Sequence, residues 1–577
     1  MYRVLQFLTL LVLCLIPLGG LYFVYPGLKF EIGSVSPFVL IIAAFCIYGG
    51  VFKKTWLNRY GSFLRQILAR ALNLRPRAAL AFVAVIGAGL FLADLFRFWS
   101  FNNSLYDMVY THSVMFYPRF DGHWGHCSLS PLRSFFVDHF APTMLLGSWV
   151  VGWTRSSEAV ILLQSLLVIG GTWLLVTQGP LKDKTKLWFL AIFVLLCQRG
   201  LIRPGIDLRE EHFAFFSLCL AIVGLYRGML PLYFAGLLAL MGAKEHTPFL
   251  ALGLVFPILW DPELRFRPVQ RKVLAAATIT LCLSYGAYLF SHVIPTLQAP
   301  TGVVISQITH RLPQLGSSLS EIALSPLLKP VAFMSWVADR LLDRSSLRYL
   351  AFLLIPGILF VLPKKGHAAA RPWTWILAAS IGIAANIIPT RPEQRSFHWH
   401  YELAFAPFLL TAILAGMRRM PRLRYWKWGL ALAILFSMRW PAFEAWKTRP
   451  TLAQLSDIAA FKKIDCSQTI GADMFALSVL THCPRLQLLS IQDCPDPAAA
   501  PALLDALLTH PGPPGVPGET LRGAEAILLD RNRHCQQVLE KRALSGVAGR
   551  GQLVWEAPSG RYALYRLKAL ASANEAE

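Results

Sequence analysis

Along the first 440 positions, apolar residues run in continuous stretches, not in alternation, and polar residues gather in the gaps. A helix rises 1.5 Å per residue, so about 20 apolar residues cross a hydrocarbon core about 30 Å thick. Lipid offers the backbone no hydrogen-bond partners, so such runs must close their own bonds as helices. The pattern predicts thirteen helices, near 4–24, 36–52, 79–98, 157–177, 186–200, 212–226, 229–243, 246–260, 273–294, 348–363, 373–389, 402–417 and 425–439. The first run, Val4 to Tyr25, is long for a secretory signal and lacks a small-x-small cleavage site, so it reads as a retained helix.

Two polar stretches are too long to be simple connections, 99–156 and 295–347. Within the first, 141–154 is apolar but too short to span, which suits an interfacial or re-entrant segment. The second is expected to hold amphipathic helices. After Trp440 the pattern changes to short apolar runs separated by acids and prolines. Strands are expected at 467–471, 485–490, 525–529, 552–557 and 561–567, and a helix at 473–483. Pro511 to Gly518 is a turn region. The chain thus divides into a membrane part, 1–440, and a small soluble α/β domain, 441–577. Cys466, Cys483, Cys494 and Cys535 fall in that domain, and three pairings are open to them in an oxidising compartment.

Composition agrees with this division. Of 577 residues, 55% are hydrophobic and 15% charged, against about 25% charged in soluble proteins. The net charge of +23 raises nucleic acid as a partner, but its distribution excludes that reading. The basic residues cluster between apolar runs: Lys53 to Arg77, Lys182 to Lys186, Arg265 to Lys272, Lys364 to Arg371 and Arg418 to Lys427. That is the pattern of cytoplasmic loops. With the N-terminus inside, thirteen crossings put every cluster in the cytoplasm. They put 99–156, 201–211, 244–246, 295–347, 390–401 and everything after 440 outside.

Acids and histidines collect on that outer side. Charged groups at membrane depth cost roughly 2.5–3.5 kcal/mol, so those near it have a reason to be there. Asp107 follows Tyr106 near the start of the first external loop and suits a general base; the plain alternative is a solvated or capping acid. Asp138 and His139 end the polar part of that loop, with His123 and His126 upstream. The four could together bind a metal but lack the tight spacing of a zinc site, and for His123 and His126 plain loop polarity is the favoured reading. Glu210 and Glu211 open a helix, where the dipole alone accounts for acids, but Arg209 beside them suits a phosphate. Lys244, Glu245 and His246 separate two short apolar helices; an ion pair ending helices is the plain reading. Arg391, Glu393, Arg395, His398, His400, Tyr401 and Glu402 form the last spot. Several cationic spots on one face suggest an anionic ligand.

These motifs carry a resemblance. Tyr106-Asp107, His139-Phe140-Ala141-Pro142, Gln164, the acid of Leu208-Arg209-Glu210-Glu211, Lys244-Glu245, and His400-Tyr401 with Pro407 follow the order seen in a bacterial family of membrane proteins of unknown function. That family is itself similar to the GT-C glycosyltransferases, which use lipid-phosphate sugars. Two positions depart from it: Thr111-His112 stands where an Asp-Gln is usual, and Arg209 where a histidine is usual. The resemblance implies an all-α polytopic fold of the GT-C kind with a periplasmic C-terminal α/β domain, in the bacterial inner membrane. It implies a membrane glycosyltransferase that takes its sugar from a polyprenyl-phosphate donor among the membrane lipids. Asp107 would be the base, and Arg209, Lys244, His400 and Tyr401 would hold the phosphate. Asp138, His139, Glu211 and Glu245 would support them. The resemblance leaves a divalent metal open, and no ligand motif supplies a site for one. A transporter or flippase for a lipid-linked or anionic solute is the alternative; the gathering of polar groups toward one face favours the enzyme.

Overall fold

The computed structural model describes residues 88–101, 105–120, 123–180, 209–299, 312–361, 370–390, 403–417, 449–488, 524–540 and 551–567, apart from a few positions inside these stretches. The chain is mostly helical, with a small sheet at its C-terminal end. Residues expected in the first two helices, and those expected near 186–200 and 425–439, lie outside the described residues.

The segment 99–156, expected to be an external loop, is less of a loop than its polarity suggests. It holds helix α1 (Leu105–Phe116), a short hairpin of β1 (Arg119–Phe120) and β2 (His123–Trp124), and helices α2 (Phe135–Asp138) and α3 (Met144–Val151). The motif Tyr106-Asp107 therefore sits in the first turn of a helix. The apolar stretch expected at the interface is α3. Trp149 and Trp153 stand out from it fully exposed, while Met144, Gly147 and Val151 are buried.

Helix α4 (Ser157–Gln178) starts where Ser156 caps it, its side chain accepting from the Ala159 N–H. Helices α5 (Glu210–Arg227) and α6 (Leu230–Met241) form a tight hairpin. Gly228 makes the turn with a left-handed φ of 69°, which glycine adopts without steric cost. A Cβ on Gly236 would lie 2.5 Å from Ala221 N, and one on Gly224 2.5 Å from Tyr233 N. Small residues facing backbone in this way let apolar helices pack closely without help from water. Helix α4 covers another side of α5.

Helix α7 (Thr247–Trp260) follows, then α8 (Pro268–Gln298), longer than the expected 273–294 at both ends. The segment 295–347 holds α9 (Leu319–Leu328) and α10 (Pro330–Leu342), which expose Leu327, Leu328, Val331 and Met334. Helices α11 (Arg344–Val361), α12 (Ala370–Ile387) and α13 (Ala406–Met417) complete the bundle. Among the described residues, α4 and α8 are long and apolar enough to cross a membrane; α6, α7 and parts of α12 and α13 are shorter apolar helices.

The C-terminal part opens with α14 (Leu452–Phe461) and builds a five-stranded sheet in the order β4-β3-β5-β7-β6. Its strands are β3 (Ile470–Ala472), β4 (Leu486–Leu488), β5 (Ala526–Asp530), β6 (Gly551–Glu556) and β7 (Tyr562–Leu567). Strand β3 runs parallel to β4 and β5, and β7 antiparallel to β5 and β6. Of the expected helix 473–483, residues 473–476 and 478 lie outside the described residues, and 480–483 form a turn. Of the open cysteine pairings, Cys466 is joined to Cys483; Cys494 and Cys535 lie outside the described residues.

This sheet unit is docked on residues of the 99–156 segment. Phe101 packs on Phe461 and Tyr562, and Gln454 donates to Ser100 O at 3.0 Å. Tyr117 hydroxyl donates to His482 O, and His126 Nε2 lies 2.6 Å from Pro484 O. His126 is thereby a docking residue, not one of a loose group of loop ligands. Lys462 and Glu158 pair at 2.6 Å across the same junction.

Candidate functional site

Helix α5 carries a polar cluster at each end, about 27 Å apart for its 18 residues. At the C-terminal end, buried Asp261 accepts from Tyr226 Oη and Trp375 Nε1, both at 2.9 Å, and from Glu263 N–H at 3.0 Å. Arg271 donates to the carbonyls of Asp261, Leu264 and Phe266. Every strong donor and acceptor there is matched, as expected of a staple joining helices.

The N-terminal end differs. Arg209 holds an extended conformation just before the helix, and its N–H donates to His212 Nδ1 at 3.1 Å. Glu210 and Glu211 fill the first turn, where the helix dipole favours negative charge. Both are buried, and Glu210 accepts no hydrogen bond. The turn 242–246, between α6 and α7, brings Lys244 to them. Lys244 Nζ lies 2.7 Å from Glu211 Oε1 and 3.9 Å from Glu210 Oε2. Thr247 shapes that turn: its Oγ1 accepts the Lys244 N–H at 3.3 Å and shares its own proton between Leu240 O and Lys244 O, at 2.5 and 2.7 Å.

The third wall comes from the 99–156 segment. Thr143 N–H donates to Gly242 O at 2.9 Å, and its hydroxyl to Ala239 O at 2.8 Å. These two bonds fasten the stretch after α2 to the end of α6. His139, which ends α2, is thereby carried to the turn, where its Nδ1 lies 3.5 Å from Glu245 Oε1. Gln298, at the end of α8, steadies α2 by donating to Val137 O at 3.1 Å.

The charges set one another. Burial disfavours the Lys244 ammonium, but Glu210, Glu211 and Glu245 outweigh it and hold its pKa above the usual lysine range. Burial works against the Glu245 carboxylate too; its bond to His139 and the charges of His139 and Lys244 hold it well below the usual range. For His139, burial is again the largest opposing effect, and Glu245 more than offsets it, so its pKa is raised. The cluster thus sets three carboxylates, Glu210, Glu211 and Glu245, beside Lys244, Arg209 and His139, whose pKa Glu245 raises.

Of the residues singled out in the sequence, Arg209, Glu211, Lys244, Glu245 and His139 come together here. Asp138 closes α2 beside His139, and Asp107 lies on α1, which packs against α2 and α3. His400 and Tyr401 lie outside the described residues. Pro407 falls in the first turn of α13. Sequence reasoning undervalued Glu210, whose place the helix dipole explains in full; its nearness to Lys244 has no local sequence signal. His212 was likewise passed over, though its spacing from Arg209 is that of a capping residue.

No curated protein matches the chain. Residues 97–465 match a family described as predicted membrane protein (DUF2079), a stretch that contains all of the motifs above. With a match over more than half its length, this chain belongs to the DUF2079 family of predicted membrane proteins, a family of unknown function.

Proposed function

We propose that the protein is an inverting glycosyltransferase of the bacterial inner membrane, which moves a sugar from a polyprenyl-phosphate donor to an acceptor on the periplasmic face. One observation carries the reading: three stretches distant in sequence, around 139, 210 and 244, converge at one end of the helical bundle on a cluster that sets Lys244, Arg209 and His139 among three carboxylates. In this reading thirteen helices cross the membrane, the basic loops face the cytoplasm, and 441–577 forms a periplasmic domain over the site. Asp107 takes the proton of an acceptor hydroxyl. The acceptor oxygen bonds to the anomeric carbon as the bond from that carbon to the phosphate oxygen breaks, and its electron pair leaves with the polyprenyl phosphate. Lys244 and Arg209, with His400 and Tyr401, steady the departing charge. Glu211 and Glu245 orient the cations, and Asp138 and His139 set the loop. A phosphate leaving group needs charge stabilisation more than an acid, so one base and several cations are chemically sufficient.

Purified full-length protein in nanodiscs, given polyprenyl-phosphate sugars, is expected to release polyprenyl phosphate and label an acceptor. Asp107→Asn is expected to abolish this with folding intact. Lipid or solute translocation that persists in Asp107→Asn, with no sugar transfer by the unaltered protein, would replace this reading with the flippase or transporter.

A further inference from the structure

The cluster has a sealed part and an open part. The side chains of Glu210, Glu211 and Lys244 are 0%, 1% and 8% exposed, whereas those of His139 and Glu245 are 20% and 18% exposed. A substrate arriving at this end of the bundle reaches the His139–Glu245 pair before it reaches Lys244. Lys244 is also already committed to Glu211. If His139 were neutral, the cluster would hold one carboxylate more than it has cations, and an anionic ligand would be repelled.

We propose that His139, oriented by Glu245, is a phosphate-contacting catalytic residue. Its Nδ1 proton faces the Glu245 carboxylate, and its Nε2 proton is the donor offered to the phosphate that leaves the sugar. This deepens the glycosyltransferase reading and rests on it for the word catalytic; the anion contact itself does not. Glu245 acts as a positioning residue. It sets the ring and keeps it charged near neutral pH, where an unassisted imidazole is largely neutral. The groups facing His139 are Glu245 and Lys244 from the turn and Glu210 from α5. From α8 comes the neutral amide of Gln298, on Val137 O, and from α1 the Tyr110 hydroxyl is engaged by Leu129 O.

The phosphate contact is therefore present while His139 is protonated and is lost as pH rises through its elevated pKa. Farnesyl phosphate and inorganic phosphate serve as probes, with farnesol as the uncharged control, on full-length protein in nanodiscs from about pH 6 to about pH 9. Farnesyl phosphate is expected to bind about ten- to a hundredfold more weakly at the alkaline end, against the trend of its own ionisation, which adds charge there. His139→Gln should bind weakly and flatly across the range. His139→Lys, a cation throughout, should keep binding at high pH. Glu245→Gln should move the midpoint to lower pH, a shift that loosened folding alone does not produce. Inorganic phosphate following the same profile assigns the contact to the phosphate group, and a profile shown by farnesyl phosphate alone assigns it to the lipid-bound headgroup. An unchanged pH profile in His139→Gln, or an unmoved midpoint in Glu245→Gln, overturns the proposal. Sugar transfer that survives in His139→Gln overturns the role of His139 alone. Phosphate binding with the expected profile but no sugar transfer overturns the glycosyltransferase reading and leaves the anion contact standing.

Discussion

Replacing Lys244 by methionine keeps the side chain's length and removes its charge. In the folded protein that charge sits 2.7 Å from Glu211 and 3.9 Å from Glu210, both almost wholly buried. The variant would leave two buried carboxylates without their nearest counter-charge. Removing one partner of a buried pair costs roughly 3–5 kcal/mol, because the survivor is left uncompensated. That is a large share of a stability that is typically about 5–15 kcal/mol. Replacing both partners by neutral groups of similar shape is far less harmful. The expected ranking in denaturant unfolding, in one fixed detergent, is therefore Lys244→Met well below the parent, with Glu211→Gln/Lys244→Met partly restored. The coupling between the two changes should lie in the range of about 0.5–3 kcal/mol found for residues in contact. A Lys244→Met variant within about 0.5 kcal/mol of the parent, the spread of ordinary surface changes, would show that this ion pair is absent from the folded protein.

Further outcomes follow from other parts of the fold. The Glu245–His139 pair has a pH window with two edges: Glu245, with its pKa depressed, loses its contribution as pH falls through that value, and His139, with its pKa raised, loses its contribution as pH rises through it. Glu245→Gln should therefore destabilise the protein at neutral pH, and the deficit should shrink at alkaline pH, as read from unfolding midpoints. Gly236→Val drives a side chain into the backbone of α5, 2.5 Å from Ala221 N, and should cost about 1–3 kcal/mol and displace Lys244 with it. Asp261→Asn disturbs the staple at the far end of α5, so it should lower stability while leaving phosphate binding unchanged. Cys466 and Cys483 close a loop of 17 residues, and replacing both by serine should cost about 3 kcal/mol, measured as a shift in unfolding under non-reducing conditions.

What could be read from the sequence depended on how local its cause was. The five strands of the C-terminal sheet fall on the runs that predict them, because short apolar runs and bounding turns are local properties. Long apolar runs placed α4 and α8 for the same reason, and helix ends moved by only a few residues, as at Pro268 and Gln298. Asp107 is harder: the polarity of 99–156 reads as loop, yet burial of Met108, Val109 and Tyr110 makes the stretch a helix. The Glu245–His139 pair could not be foreseen. It exists because two hydrogen bonds from Thr143 tie the 99–156 segment to the end of α6, a long-range contact with no periodicity to announce it. The disulfide was similarly open, since spacing alone permits three pairings.

Cryo-electron microscopy of the full-length protein in nanodiscs with a bound polyprenyl phosphate addresses the site as a whole. The phosphate is expected beside His139 and Lys244, with the Asp107 carboxylate turned toward it. Phosphate density at the Asp261 end of α5, or an Asp107 side chain facing away from His139, would contradict the account.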